Sequence, residues 1–222
     1  MKTILIVAAH TDDEALGCGG TIARHVAEGD IVHAVFVADG VTSRTNADSG
    51  ELQRRQDAAE EAQAILGIHR AFYLCLPDNR LDSMTLLDVV QPLEAVIRTI
   101  APQVIYTHHH GDLNIDHRIT HQAVMTACRP LPGSSVEEIY TFEIMSSTEW
   151  NTAAQAPFLP SCYIDITPFL PTKLAALEAY KLEMRDPPHS RSLAHLDHLA
   201  RHRGHTVGVE AAEAFMVMRL IK

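Results

Sequence analysis

The sequence predicts an α/β fold in which a mostly parallel, twisted sheet lies between two layers of helices. Short apolar runs alternate with longer segments of helical periodicity through the first two thirds of the chain. The first run is apolar without alternation, as in a strand that is buried on both faces. Strands that alternate with helices form βαβ units with parallel strands. The composition, 46% apolar and 21% charged, is ordinary for a globular protein.

The elements of this core follow one another in a regular order. Apolar runs predict strands at residues 3–9, 31–38, 71–76, 104–107 and 138–142. Helical spacing between them predicts helices at residues 17–28, 51–66, 84–100 and 116–128. Gly29 and Gly67 follow the first two helices and Pro102 follows the third, and glycine and proline commonly mark helix ends.

The pattern changes after Glu143. It predicts an outer strand at residues 161–166, helices at 173–184 and 192–203, and a final strand at 215–221. No repeat, low-complexity tract or long linker divides the chain. We therefore expect one domain over residues 1–222, with a core at 1–143 and a C-terminal α/β elaboration at 144–222 that is not a separate domain.

Charge and hydropathy exclude several classes of protein. The net charge of −10 disfavours nucleic acid or an anionic membrane as the main partner. No apolar run approaches the roughly 18 residues of a spanning helix. The N-terminal apolar run has six residues and leads directly into polar residues, which predicts a strand and not a signal peptide. We expect a cytoplasmic protein whose four separated cysteines are reduced and mostly buried.

Two loops carry a dense set of metal-binding residue types. Residues 10–14, with the sequence HTDDE, follow the first strand, and residues 108–117, with the sequence HHHGDLNIDH, follow the fourth. In the usual strand order 3-2-1-4-5 these strands are neighbours, so the two loops face each other where ligands bind. His10 and Asp13 can converge on one ion, and one imidazole from the second loop would complete a three-ligand set. Three protein ligands leave a coordination position open, which is typical of catalytic zinc.

Each loop by itself also has a simpler interpretation. Acidic residues before a helix often only complement the helix dipole, and Asp116 beside His117 is a common surface pair. The occurrence of both loops at facing strand ends favours a functional site.

Both loops resemble motifs of a known family. Residues 9–14, AHTDDE, resemble the AHPDDE signature of the PIG-L/LmbE-like N-acetylglucosamine deacetylases, and residues 114–118, NIDHR, resemble the second family motif, HPDH or NxDHR. Segments near residues 173–185, 188–192 and 212–215 also resemble family segments, so the resemblance covers nearly the whole chain. It implies a Rossmann-like three-layer sandwich.

The resemblance also implies roles for individual residues. His10, Asp13 and His117 would bind zinc, Asp12 would be the general base and also return the proton to the leaving amine, and Asp116 would orient or tune a histidine. The implied reaction is hydrolysis of the N-acetyl group of an N-acetylglucosamine-containing small molecule, such as a sugar conjugate or nucleotide sugar. A His₂Asp set also accepts other divalent transition metals. Family members often form homo-oligomers, so we expect a trimer or hexamer.

The sequence departs from the family motifs at two positions. Thr11 replaces a proline, which removes no ligand. Asn114 stands where many members have a histidine that stabilises the oxyanion or protonates the leaving group. An amide donates a hydrogen bond but cannot shuttle a proton, so Asn114 supplies only the hydrogen bond or another histidine acts instead. The candidates for that histidine are His108, His109, His110 and His189.

Further residues are candidates for substrate binding. Arg54 opens the second helix, and His189 and Arg191 follow a double proline. A basic cluster that would suit a phosphate-bearing substrate, or else form a solvated face or subunit contact, comprises Arg185, His189, Arg191, Arg201, Arg203 and His205. The alternative functions are deacylation of another N-acyl amino sugar, such as an N-formyl sugar, and non-catalytic binding of a nucleotide or metal.

Overall fold

The protein has the predicted α/β architecture, with one seven-stranded sheet between two layers of helices. The computed structural model describes residues 1–40, 50–152 and 156–222, except for the side chain of Leu52. The strands are β1 (Thr3–Ala8), β2 (Ile31–Ala38), β3 (Arg70–Leu76), β4 (Val104–His108), β5 (Glu138–Phe142), β6 (Cys162–Asp165) and β7 (Ala212–Leu220). The helices are α1 (Asp13–Ala27), α2 (Glu51–Leu66), α3 (Leu86–Ile100), α4 (Ile115–Ala127), α5 (Leu170–Ala179) and α6 (Leu193–Val207).

The sheet has the strand order β3-β2-β1-β4-β5-β7-β6. The first five strands in this order are parallel, which confirms the predicted order 3-2-1-4-5. β7 runs antiparallel to both β5 and β6. The C-terminal residues therefore extend the same sheet that the first 142 residues begin.

The central strand β1 is covered on both faces. Ile4, Ile6 and Ala8 pack into a core with α1, α2, α5 and α6. Leu5 and Val7 point the other way and pack with α3 and α4. Side chains alternate across a strand, so a continuous apolar run is what a strand between two helical layers requires.

Helix α1 begins at Asp13, four residues before the predicted start at Gly17. The helix is kinked at Cys18, where φ is −149°. Beyond the kink, the carboxylate of Glu213 on β7 accepts hydrogen bonds from the backbone N–H groups of Gly20 and Thr21. The sequence pattern detected the segment after the kink and missed the first turn, which carries Asp13.

Capping side chains place the starts of two other helices. The Thr85 side chain accepts from the Asp88 N–H, and the Asp88 carboxylate accepts from the Thr85 N–H, so α3 begins two residues later than predicted. The Asn114 side chain accepts from the Asp116 N–H at the start of α4. Because such a cap satisfies N–H groups of the first turn, the position of the capping residue sets where the helix begins.

Two further predictions about the fold need correction. Helix α5 spans Leu170–Ala179, not residues 173–184. Tyr180, the residue after its end, is buried and donates its hydroxyl to Glu14, a contact that the local periodicity does not contain. All four cysteines are free thiols, but only Cys18 and Cys128 are buried, while Cys75 is exposed. Within the described part of the chain, no helix has both the length and the apolar character needed to cross a membrane.

Candidate metal centre

An open cavity of about 340 Å³ lies at the carboxyl ends of the parallel strands. The loops after β1, β3, β4 and β5 all contribute to its lining, as does the segment between α5 and α6. Its lining is mainly polar and charged, with carboxylates, two histidines and two arginines. This is the position at which ligands bind in open α/β sheets.

One oxygen of Asp13 is the meeting point of the two predicted loops. Asp13 Oδ2 lies 3.3 Å from His10 Nδ1 and 3.4 Å from His117 Nε2. These three buried residues offer one ligand atom each, all within 4.8 Å of one another. Two imidazole nitrogens and one carboxylate oxygen form a donor set that suits zinc and other divalent transition metals.

Carboxylates hold the outer side of both imidazole rings. His10 Nε2 lies 3.1 Å from Asp116 Oδ2 and 3.2 Å from Asp78 Oδ1. His117 Nδ1 lies 3.2 Å from Asp112 Oδ1. A proton held on the outer nitrogen leaves the lone pair of the inner nitrogen directed at Asp13. Metal-binding histidines are oriented in this way, so the residues present fit a bound metal ion.

The charges of the three residues fit this arrangement. Burial acts against ionisation of Asp13, but His117 and His108 outweigh it and hold the pKa of Asp13 well below its ordinary value. Burial likewise acts to lower the pKa of His117, but Asp13 and Asp112 raise it to about 9. A divalent cation can replace the protons that balance this carboxylate, since metal ligands bind in their deprotonated forms.

Asp116 belongs to the support of His10. Its carboxylate accepts hydrogen bonds from the backbone N–H groups of Asn79 and Leu81, at 2.7 and 3.1 Å. His10, Asp78 and Asp116 also lie close enough together to form a second candidate donor group. The Asp116 carboxylate thus already has two backbone donors and His10 as partners.

A third group of possible ligands lies near the amino end of β2, away from the cavity. It consists of His25, Glu28 and Asp30. Both ring nitrogens of His25 already have partners, Asp30 Oδ2 at 2.9 Å and the hydroxyl of Tyr106 at 3.0 Å. Glu28 is exposed, so this group has the character of a surface ion pair.

Asp12 lies beside the triad of His10, Asp13 and His117 but faces a different environment. Its φ of 113° is unusual for a residue other than glycine, and its N–H donates to Glu14 Oε2 at 3.0 Å. Arg191 Nη1 lies 3.2 Å from its carboxylate, and Arg55 Nη2 lies 3.9 Å away. Burial raises the pKa of Asp12 to about 6, although both arginines act to lower it. The carboxylate is therefore mostly ionised at neutral pH and can accept a proton.

The structure brings together only part of the predicted substrate-binding set. Arg191 lines the cavity, but Arg54 is exposed and lines a separate groove, and Arg55 takes its place in the cavity. His189 accepts a hydrogen bond from the Arg191 N–H and packs against Trp150, outside the cavity lining.

Two arginines of the predicted basic cluster are held in ion pairs. Arg203 binds Glu143 through two hydrogen bonds of 2.8 Å, and Arg201 binds Asp197 in the same helix. Among the described residues, these pairings leave less positive charge to attract a phosphate than the sequence suggested.

Asn114 lines the cavity, whereas the four alternative histidines do not. His108 lies behind the triad, where its Nε2 accepts the Ala9 N–H at 2.8 Å and its ring stacks on His117. His109 Nε2 bonds the carbonyl oxygen of Ala156 at 2.9 Å, and His110 is exposed. His189 lies beside Trp150. The Asn114 side-chain oxygen accepts the Asp116 N–H at the helix cap, and its amide nitrogen donates to Asn79 Oδ1 at 3.4 Å. The amide nitrogen carries two N–H groups, so one remains as a donor.

Sequence reasoning missed several residues that shape the site. Asp112 binds His117 and accepts hydrogen bonds from the hydroxyls of Ser147 and Thr148. Asp78 and Asn79 follow β3, at the same edge as the two loops that were identified. The rule that ligands bind at strand carboxyl ends would have found this third loop.

Comparison with known proteins finds a matching family and similar structures. The family model described as PIG-L, GlcNAc-PI de-N-acetylase, matches residues 5–128. The chain is 31% identical over 186 residues to the uncharacterized deacetylase YaiS of Escherichia coli, which covers 81% of this chain and 91% of that protein. It is 28% identical over 214 residues to the 1D-myo-inositol 2-acetamido-2-deoxy-α-D-glucopyranoside deacetylase of Thermobifida fusca, covering 78% of this chain and 75% of that protein.

Solved structures show the same fold. A conserved protein of Thermus thermophilus superposes with a TM-score of 0.79 at 24% identity, covering 100% of this chain and 97% of the other. The N,N'-diacetylchitobiose deacetylase of Pyrococcus horikoshii gives 0.78 at 22% identity, covering 98% and 84%. The 4-carboxy-2-hydroxymuconate hydratase of a Pseudomonas also gives 0.78, at 21% identity, covering 100% and 99%. Because a deacetylase and a hydratase share this fold, the reaction has to be argued from the site.

Proposed function

This chain belongs to the PIG-L family of de-N-acetylases, and from that premise we propose that it uses zinc to remove the N-acetyl group from an N-acetylglucosamine-containing small molecule. The observation that carries the proposal is the convergence of His10 and His117 on Asp13, with Asp12 beside them in the same cavity. Three ligands and one separate carboxylate divide metal binding and proton transfer between different residues.

His10, Asp13 and His117 would hold the metal. A divalent cation at this position would supply Lewis acidity, which polarises the amide carbonyl and makes a water molecule more acidic. Asp116 and Asp112 keep the two imidazoles in orientation from their outer sides.

Asp12 performs the proton transfers in this proposal. Its carboxylate takes a proton from water as the water oxygen bonds to the amide carbon. The carbon–nitrogen bond then breaks, and the Asp12 carboxyl gives the proton to the departing nitrogen. The products are acetate and a free amine. Arg191, 3.2 Å from Asp12 Oδ2, holds this carboxylate in place.

Asn114 supports the reaction as a hydrogen-bond donor. Its amide nitrogen can stabilise negative charge on the carbonyl oxygen but cannot carry a proton. Since His108, His109, His110 and His189 do not line the cavity, the return of the proton falls to Asp12.

The test is acetate release by the zinc-loaded protein from a panel of substrates. The panel contains free, inositol-linked, nucleotide-linked and oligomeric N-acetylglucosamine, and N-formylglucosamine as the alternative acyl substrate. We expect acetate from at least one N-acetyl substrate. Asp12→Asn should retain zinc and lose at least roughly 100-fold in turnover, because it removes the general base.

Asp82→Asn is the matched control, since Asp82 is exposed outside the cavity. It should leave turnover unchanged. Hydrolysis by Asp12→Asn at the rate of the unmodified protein would remove Asp12 from its assigned role. Formate release without acetate release would show that the acyl group removed is formyl and not acetyl. Release of neither product from any substrate, with zinc bound, would contradict the proposed function.

A further inference from the structure

We propose that Trp150 and Leu113 form a subsite at the rim of the cavity that binds an uncharged ring of the substrate next to the acylated sugar. The inference rests on the proposed function and names the part of the substrate that the metal centre does not contact. Trp150 is the single tryptophan of the chain and is 52% exposed, and Leu113 is 43% exposed. Every other described residue of the cavity lining is polar, charged or glycine.

The size of the cavity puts the rim in the path of a larger substrate. Its volume of about 340 Å³ is near the lower end of the roughly 300–1,000 Å³ that ligand pockets span. One acylated sugar therefore occupies most of the space around Asp12 and the triad. A group attached to that sugar has to leave through the rim, where Leu113 and Trp150 present apolar surface.

The two rim residues stand on loops that are tied together. The Asp112 carboxylate, next to Leu113, accepts hydrogen bonds from the hydroxyls of Ser147 and Thr148, which precede Trp150. Ser147 Oγ also accepts the Asn114 N–H at 3.3 Å. The same carboxylate holds His117, so the rim and the metal site share one support.

The indole of Trp150 packs against one aromatic neighbour and is otherwise largely exposed. Its ring meets His189 edge to face, with 5.5 Å between ring centroids and an angle of 74°. More than half of the side chain stays exposed. Covering such an exposed aromatic ring with an apolar ring face is favourable, because it removes apolar surface from water.

The charges around the rim favour an uncharged ring over a phosphate-bearing group. Arg191 donates to Ser146 Oγ at 2.9 Å and pairs with Asp12. Arg55 pairs with Glu183 at 3.1 Å. An anionic group would have to compete with two carboxylates for these arginines. A second sugar ring or an aryl group needs only the C–H and ring contacts that Trp150 and Leu113 supply.

The first test uses the intrinsic fluorescence of the zinc-loaded Asp12→Asn protein, which binds substrate without rapid turnover. The chain has one tryptophan and five tyrosines, so excitation at a wavelength that only tryptophan absorbs makes the emission report Trp150 alone. We expect a saturable change with N,N'-diacetylchitobiose, a two-ring sugar, and with phenyl N-acetylglucosaminide, an aryl glycoside. Free N-acetylglucosamine and its nucleotide conjugate should give a much smaller change. A response to only one of the first two identifies which ring the subsite takes.

The second test compares kcat and KM for one-ring and two-ring substrates. Trp150→Ala should lower kcat/KM for N,N'-diacetylchitobiose by roughly tenfold or more through KM, and by less than about threefold for free N-acetylglucosamine. Trp150→Phe should restore most of the loss. Leu159→Ala is the control, because Leu159 is also an exposed apolar residue but lies outside the cavity lining. This variant should leave kcat/KM unchanged for both substrates.

Three results would overturn the subsite. One is an equal loss of kcat/KM for the one-ring and two-ring substrates in Trp150→Ala. Another is acetate release from a two-ring substrate that does not change the tryptophan emission; this result would leave the deacetylase function intact. The third is emission that becomes shielded from acrylamide as protein concentration rises, which would make Trp150 a contact between copies of the chain. If no substrate released acetate, the proposed function itself would be contradicted.

Discussion

Neighbouring aspartates in the first loop have different surroundings, and this difference divides their roles. Asp13 is enclosed by imidazoles, which hold its pKa well below the ordinary value. Asp12 faces Arg191, and burial raises its pKa to about 6. Two consecutive side chains of one loop therefore have different partners, imidazoles for Asp13 and arginines for Asp12.

The ligand assignment predicts the metal content of two histidine variants. His117→Ala removes one of three donors, so zinc affinity should fall by at least roughly 100-fold, the upper end of the loss seen when only an outer partner is removed. His110→Ala changes an exposed histidine in the same loop and should retain one zinc per chain. Metal analysis after dialysis against a chelator of known affinity measures both. Tight stoichiometric zinc in His117→Ala would exclude His117 from the ligand set.

The residue types and strand order predicted that His10 and Asp13 meet one imidazole of the second loop, and the resemblance to the family motifs pointed to His117 as that imidazole. His10, Asp13 and His117 meet as expected, with Asp116 against His10. Arg55 lines the cavity and Arg54 does not, because successive residues of a helix point about 100° apart. Substrate binding by Arg54 stays a prediction. Which of two adjacent arginines faces the cavity depends on how α2 is rotated in the fold, and sequence spacing does not contain this information.

At the scale of elements, α1 depends on a strand from the other end of the chain. Glu213 on β7 accepts N–H groups from Gly20 and Thr21 and pairs with the buried Lys173 on α5. Lys173 also donates to the Leu16 carbonyl oxygen, just before the kink. The local sequence could not reveal that α1 begins before this kink, because the group that stabilises the kink is distant in the chain.

Removal of Glu213 should therefore destabilise the protein strongly. Glu213→Ala leaves Lys173 buried without its carboxylate, and we expect a loss of about 3–5 kcal/mol in the free energy of unfolding. Glu28→Ala, which breaks the more exposed pair with Arg24 in α1, should cost no more than about 1 kcal/mol. Urea unfolding compares the two variants. Equal small losses would show that Glu213 does not support α1.

Elements with strong local signals were predicted well. β2, α2 and β5 have the bounds that the sequence pattern predicted, and α2 ends at Gly67 in the left-handed conformation. The C-terminal helices were less well placed. The hydroxyl of Tyr180 donates to Glu14 Oε1 at 2.6 Å, and this long-range contact lies just past the end of α5, where the periodicity predicted more helix.

At the scale of the whole molecule, the sheet order creates the site. β1 and β4 are neighbours, so the loops that carry His10, Asp13 and His117 meet at one edge. The C-terminal part of the chain adds β7 and β6 to this sheet and supplies Trp150 and Arg191 to the cavity. Assembly into a trimer or hexamer stays a prediction.

The most direct measurement follows acetate release while zinc is returned to the metal-free protein. If His10, Asp13 and His117 hold the single ion on which hydrolysis depends, the rate should be near zero without metal. It should then rise in proportion to bound zinc up to one equivalent per chain. Full activity in the chelated protein, or activity that does not follow the bound metal, would contradict the account.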